Sequence, residues 1–229
     1  RLFQVGGMPY LVSDAFMYEY RKINGIAMLA HGTWTTFLPK ESIKETLAEG
    51  LKLYSNKNKF EDYKNGFEDY KKETSKLFDE LSKKSELRKN EIADFIDSLS
   101  HLFHFYRRTE FFATDEAYQY SLKDEITKEN LKQFEHIKNS GREYLNKLYF
   151  GSESYLTKIL SILAKQFNLT DEVLRLYSKN DILSLFDEKK VSEQILKDRK
   201  LAYAMIGNGN DLNYIDGKEA EKIVSKFDI

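Results

Sequence analysis

From residue 40 onward, apolar side chains recur every three or four positions, the spacing of one buried face of a helix. Ile43, Leu47, Leu51 and Tyr54 place a first helix over Glu41 to Tyr54. The run Phe60-Glu61-Asp62-Tyr63-Lys64 then returns seven residues later as Phe67-Glu68-Asp69-Tyr70-Lys71. Phe60, Tyr63, Phe67, Tyr70, Thr74, Leu77 and Leu81 thus form a heptad seam along one long helix. Two copies are too few for a solenoid, so the seam predicts a helix-hairpin arm packed on its neighbour. A second long helix runs from a cap at Asn90 to about Tyr118, with Ile92, Phe95, Ile96, Leu99, Leu102, Phe103 and Tyr106 as its core stripe. A third starts near Thr127 and a fourth near Ser152, the latter with Tyr155, Ile159, Leu160, Leu163 and Phe167 on one side.

The ends of the chain have another texture. Residues 1–40 hold Gly6-Gly7, Pro9, Gly25, Gly32 and Pro39 and read as irregular apart from a short strand over Thr33 to Leu38, against which the Glu41 helix is expected to pack. After Thr170, short helices follow one another, opened by Thr170-Asp171-Glu172, by the capping box Ser178-Lys179-Asn180-Asp181, and by Ser192. Ala202 to Ile206 and Leu212 to Ile215 flank Gly207-Asn208-Gly209-Asn210-Asp211 as a hairpin, and Gly217 opens a last helix. The expected fold is mainly α, of the α+β kind: a helical bundle or array with a small N-terminal strand region and a C-terminal β-hairpin. Its expected stretches are 1–58, 59–169 and 170–229.

Composition narrows the partners. Lysine and arginine number 36 against 37 acidic residues, so no net field draws the chain to nucleic acid or an anionic membrane. No apolar stretch approaches the roughly 20 residues that span a bilayer. The absence of cysteine excludes disulfides, thiolate nucleophiles and zinc-thiolate sites and fits a cytoplasmic location. Residues Arg1 to Val12 lack an apolar signal core, and with no initiator methionine the chain reads as an internal piece of a longer protein.

Candidate chemistry concentrates on the second long helix. At about 100° per residue, Asp97, His101, His104 and Arg108 share a face opposite the core stripe. Phe105, Phe111 and Phe112 beside them suggest that another element covers this face, and covered polar groups need partners or a ligand. Three readings stay open: an anionic or polar small-molecule site, a metal site at the two histidines supported by Asp97, and an ordinary solvated or interhelix hydrogen-bonded face. The last is the default for such a face. No Glu-x-x-His pair, His-Glu-x-x-His motif, phosphate loop, Gly-x-Gly-x-x-Gly turn or Gly-x-Ser-x-Gly elbow occurs, so neither a metal nor a cofactor is expected, nor autonomous catalysis. His31, where a loop meets the strand, reads as a turn residue or a pocket liner.

The stretch from Leu174 to Phe227 resembles the segment just ahead of the swivelling phosphohistidine domain of phosphoenolpyruvate-utilising enzymes, of the phosphoenolpyruvate synthase and rifampin phosphotransferase kind. There an acidic helix-loop-helix precedes an arginine-bearing helix, matched by Asp198-Arg199-Lys200, and then a strand pair. Leu38 to Leu81 is similar to the central helical region of the phosphotransferase branch. The resemblance is one of pattern over most of the chain. The family's Gly-rich Thr-Ser-His motif is missing, as is its ATP-binding domain. The implied role is a central substrate-binding or linker region of a phosphohistidine-dependent phosphotransferase, completed by the mobile domain in cis. The resemblance implies a small-molecule acceptor held among the helices and carries over no individual residue. The polar face of the second long helix supplies the expected lining, His101, His104, Arg108 and Asp97, with Trp34 as an apolar wall and His31 nearby. The alternative is a helical protein-protein interaction module that docks a partner through the Phe60 to Leu81 arm.

Overall fold

The computed structural model describes residues 3–6, 8–111 and 115–227, without the side chains of residues 3–5, 107–111, 115 and 116. It is mainly helical with one antiparallel sheet, the α+β class that the periodicity predicts. The elements, in order, are β1 (Phe3–Gly6), α1 (Tyr10–Tyr20), β2 (Ile26–Ala30), β3 (Thr33–Phe37), α2 (Lys40–Tyr54), α3 (Lys57–Leu81), α4 (Lys89–Phe111), α5 (Asp115–Ser121) and α6 (Glu125–Tyr149). There follow α7 (Tyr155–Phe167), α8 (Asp171–Leu174), α9 (Lys179–Ser184), α10 (Glu193–Leu201), β4 (Ala202–Gly207), β5 (Leu212–Asp216) and α11 (Gly217–Val224). They form two compact units, one from 1–39, 84–100 and 158–229, the other from 40–83 and 101–157. These boundaries follow contacts in space, whereas the stretches 1–58, 59–169 and 170–229 follow changes of texture along the chain.

The first unit is built on a five-stranded sheet of order β1-β3-β2-β4-β5. The sequence reading leaves residues 1–32 irregular, but they contain β1, α1 and β2. Both α1 and β2 lack the signature that a half-buried element shows. Ten of the eleven residues of α1 are buried, so no polar face alternates with an apolar one. In β2, Met28 and Ala30 pack with Ala202, Ala204, Ala220 and Val224 on one side, and Ala27 and Leu29 are buried on the other. A strand covered on both faces reads as a short apolar run without period. The β2–β3 turn is His31-Gly32, both with positive φ, as a two-residue type I′ hairpin requires. The helices that pack on this sheet include α1, α10 and α11.

At the C-terminal end the expected caps are in place. The side chains of Thr170, Ser178 and Ser192 accept from the backbone N–H groups of Val173, Asp181 and Ile195, and Ser178 with Asp181 completes a capping box. Gly207 is not the hairpin turn that the sequence reading makes it. It ends β4, where a Cβ would stand 2.4 Å from the Arg21 Cα, and the turn itself is Asn208 to Asp211. Glycine is required there by close backbone approach.

In the second unit α2 packs on α3, α5 and α6, whereas the strand named for it in the sequence reading belongs to the first unit. The α3 seam is buried at Phe60, Tyr63, Phe67, Tyr70, Thr74, Phe78 and Leu81. Phe78 takes the place expected for Leu77, because a straight helix of 3.6 residues per turn drifts off a strict heptad. α6 supplies the facing stripe, including Phe134, Ile137, Gly141 and Tyr144. A Cβ on Gly141 would lie 3.2 Å from the Phe67 ring, so the two helices meet closely there. The Thr74 and Tyr144 hydroxyls hydrogen-bond at 2.5 Å across the same contact. Helix α4 is described to Phe111 and α5 from Asp115, and the stretch 112–114, across which the expected helix to Tyr118 would run, lies outside the described residues.

Candidate functional site

The face of α4 proposed from the sequence is not a sheltered hollow. His101 and Asp97 are exposed, and His104 is half-buried. Asp97 belongs to the first unit, where its carboxylate is ion-paired with the Lys179 ammonium. His101 and His104 belong to the second, where their rings stack in parallel, 5.4 Å apart, with Phe105 edge-on to both. Phe105 is buried among Tyr63, Phe67 and Tyr70 and is part of that unit's core. The side chain of Arg108 lies outside the described residues. Trp34 is fully buried in β3, edge-on to Phe16 at 5.1 Å, and so is core. His31 is exposed at the tip of the β2–β3 turn. Among the described residues no group of three His, Asp or Glu side chains is placed to hold a metal ion.

A different set of polar residues converges inside the first unit, around Arg199 of α10. The guanidinium is buried and reaches three partners: the Asp181 carboxylate at 2.6 Å, the Asp216 carboxylate at 3.2 Å and the Leu176 carbonyl at 2.8 Å. Its planar end covers the Tyr10 ring, 4.2 Å from the centroid. Burial works against its charge, but Tyr10, Asp181 and Asp216 outweigh that and hold its pKa above the ordinary value. Asp181 is also the capping-box acid of α9, so one carboxylate ties two helices together. Burial pushes the Asp216 carboxyl up, with Arg199 pulling it back.

Next to this network Asp14 of α1 is almost fully enclosed, accepting from the Lys179 backbone N–H at 2.7 Å and the Tyr214 hydroxyl at 2.6 Å. Burial raises its pKa, against the pull of those two donors. Asp14 and Tyr214 form part of the wall of a cleft of about 280 Å³, completed chiefly by Tyr18, Arg21, Lys179 and Asp211. The Arg21 guanidinium lies over the Tyr18 ring at 3.7 Å and donates to the Asn210 carbonyl at 3.0 Å, while the Lys179 ammonium stands 5.8 Å from the same ring. The cleft thus brings together two cations, one of them the Lys179 ammonium that also pairs with Asp97, an aromatic face and a buried carboxylate. Its residues come from α1 and the turn after it, α4, α9, the β4–β5 turn and β5. Local spacing gives no sign of it. The one sequence signal is Asp14, an acid inside the mostly apolar run Tyr10 to Met17.

No family model matches the chain, and no match to it was found among curated proteins or solved structures. Among the described residues no helix is long and apolar enough to cross a membrane.

Proposed function

We propose that the chain is the substrate-binding region of a phosphotransferase of the phosphoenolpyruvate-utilising kind, incomplete as a catalyst by itself, with its acceptor held in the first unit's cleft. One observation carries the reading. The segment that bears the resemblance, Leu174 to Phe227, supplies Lys179, Asn180, Asn210, Asp211, Leu212 and Tyr214 to the cleft wall. The same segment folds as a short capped helix, an arginine-bearing helix and a strand pair, in the order the resemblance implies. Arg199 is the joint of that arrangement, through Asp181 of α9 and Asp216 at the end of β5. Beside a transferring phosphoryl group, fixed cations such as Arg21 and Lys179 stabilise the negative charge spread over its oxygens.

The competing docking-arm reading has less to stand on, because the seam from Phe60 to Leu81 is buried against its own unit. The deciding test is the reading frame past Ile229. A Gly-rich Thr-Ser-His segment there, with the extended protein becoming phosphorylated on that histidine and passing the group to an acceptor, is the expected result. A frame that closes without such a segment overturns the proposal.

A further inference from the structure

The repeated pentapeptide of α3 builds two equivalent rungs across to α6. In the first, Lys64 Nζ donates to Glu61 at 2.8 Å and to Gln133 at 3.2 Å. In the second, Lys71 Nζ donates to Glu68 at 2.6 Å and to Ser140 at 2.6 Å. Each lysine bonds the glutamate three residues before it and a residue 69 further along the chain, so the two helices run parallel here and the rungs repeat with the heptad. One heptad of helix rises about 10 Å. Between the rungs lies a groove of about 570 Å³, lined by Lys64, Lys71, Lys132, His136, Gln133 and Ile137, with Glu68 the carboxylate on its wall. Ile137 is buried and gives it an apolar floor.

Three lysines therefore line this groove against one glutamate, with Glu61 reaching Lys64 from beside it. An ammonium carries three N–H donors, and Lys64 and Lys71 each use two, which leaves one apiece for a ligand. The glutamate of each pair reaches solvent, and pairs of that kind contribute little. Lys71 is the best placed, its side chain only 15% exposed and its ammonium 4.9 Å from the Phe67 ring centroid.

We infer that the α3–α6 groove binds a small organic molecule carrying two anionic groups about 10 Å apart, of the sugar bisphosphate class, one group on each lysine rung with the body of the molecule over Ile137. The inference stands apart from the phosphotransferase reading, because it uses only the second unit.

The test is calorimetric titration of the whole chain with fructose 1,6-bisphosphate, fructose 6-phosphate and sulfate at matched ionic strength. The bisphosphate is expected to bind about tenfold more tightly than the monophosphate, the scale of one added charge-assisted hydrogen bond. Lys64→Gln or Lys71→Gln should abolish that preference, while Lys72→Gln, an equal charge loss at an exposed position off the groove, should keep it. Amide shifts at Gln133, Ile137 and Ser140 in the unmodified chain give a readout free of any folding defect. Equal binding of the two sugars, an equal loss in Lys72→Gln, or shifts that miss those three residues would overturn the inference.

Discussion

Replacing Arg199 by alanine removes one cation from a group of three enclosed carboxylates. Asp181 and Asp216 lose their ion pairs of 2.6 and 3.2 Å, the Leu176 carbonyl loses its donor, and Tyr10 loses the guanidinium over its ring. Asp14 is already pushed up by burial and gains no new donor. Breaking a buried pair from one side costs about 3–5 kcal/mol, since the stranded charge is what destabilises. The magnitude should therefore depend on pH. Burial holds the folded-state pKa of Asp216 above its unfolded value, and without Arg199 the pull that offsets it is gone. Folding then takes up a proton, and the variant regains stability as pH falls through that raised value. The assay is urea unfolding followed by fluorescence of Trp34, the chain's only tryptophan, which is buried in the first unit and reports on that unit alone. At pH 7 the variant should lose about 3–5 kcal/mol, and at pH 4 clearly less. Adding Asp181→Asn and Asp216→Asn should recover part of the loss at pH 7. A deficit that is the same at both pH values would refute the argument and assign the cost to lost packing.

Three further outcomes follow from the same geometry. Gly207→Ala sets a Cβ 2.4 Å from the Arg21 Cα, a backbone atom that cannot swing aside, so unfolding of the first unit should come earlier by at least the ~1–3 kcal/mol of an overpacked site. Phe67→Ala empties a fully buried position and should cost about 3–5 kcal/mol in thermal unfolding followed by circular dichroism, where a docking-arm residue would leave the fold unchanged. Hydrogen bonds from Arg88 and Lys84 and from the Arg88 backbone N–H lower the Glu91 pKa from 4.5 to about 2. That contribution is present above pH 4.5 and is lost as pH falls toward 2, so Glu91→Gln should flatten the acid limb of a thermal-stability profile over this window.

The helices with one wet and one dry face were legible in the sequence because their period is written in the residues. Phe60 to Leu81 and the capping box at Ser178 are the clearest instances. Segments buried on every side were not. α1 is buried on nearly every side, its polar residues included, β2 is apolar throughout, and neither a period of 3.6 nor one of 2 survives in them. The polar face of α4 was placed correctly opposite the core stripe, but what covers a face is a tertiary fact. His101 faces solvent, and Asp97 has Lys179, a residue far along the chain. The first unit's cleft draws on Asp14, Arg21, Lys179 and Tyr214, positions that no local spacing links, and only Asp14 of α1 hinted at it.

The pairing of β2 with β4 sets the order in which the molecule can be made. Ala30 leaves the ribosome long before its register partner Ala202, a wait on the order of 10–30 s at bacterial or eukaryotic elongation speeds. During that interval β2 and β3 present an unmatched apolar edge, the kind of surface on which nascent chains stick to one another. Residues 40–83 and 101–157 emerge whole within the same interval, and the contacts of their unit need none of the last strands. The N-terminal strands, waiting for the tail, are the part of the chain on which a demand for chaperones would fall.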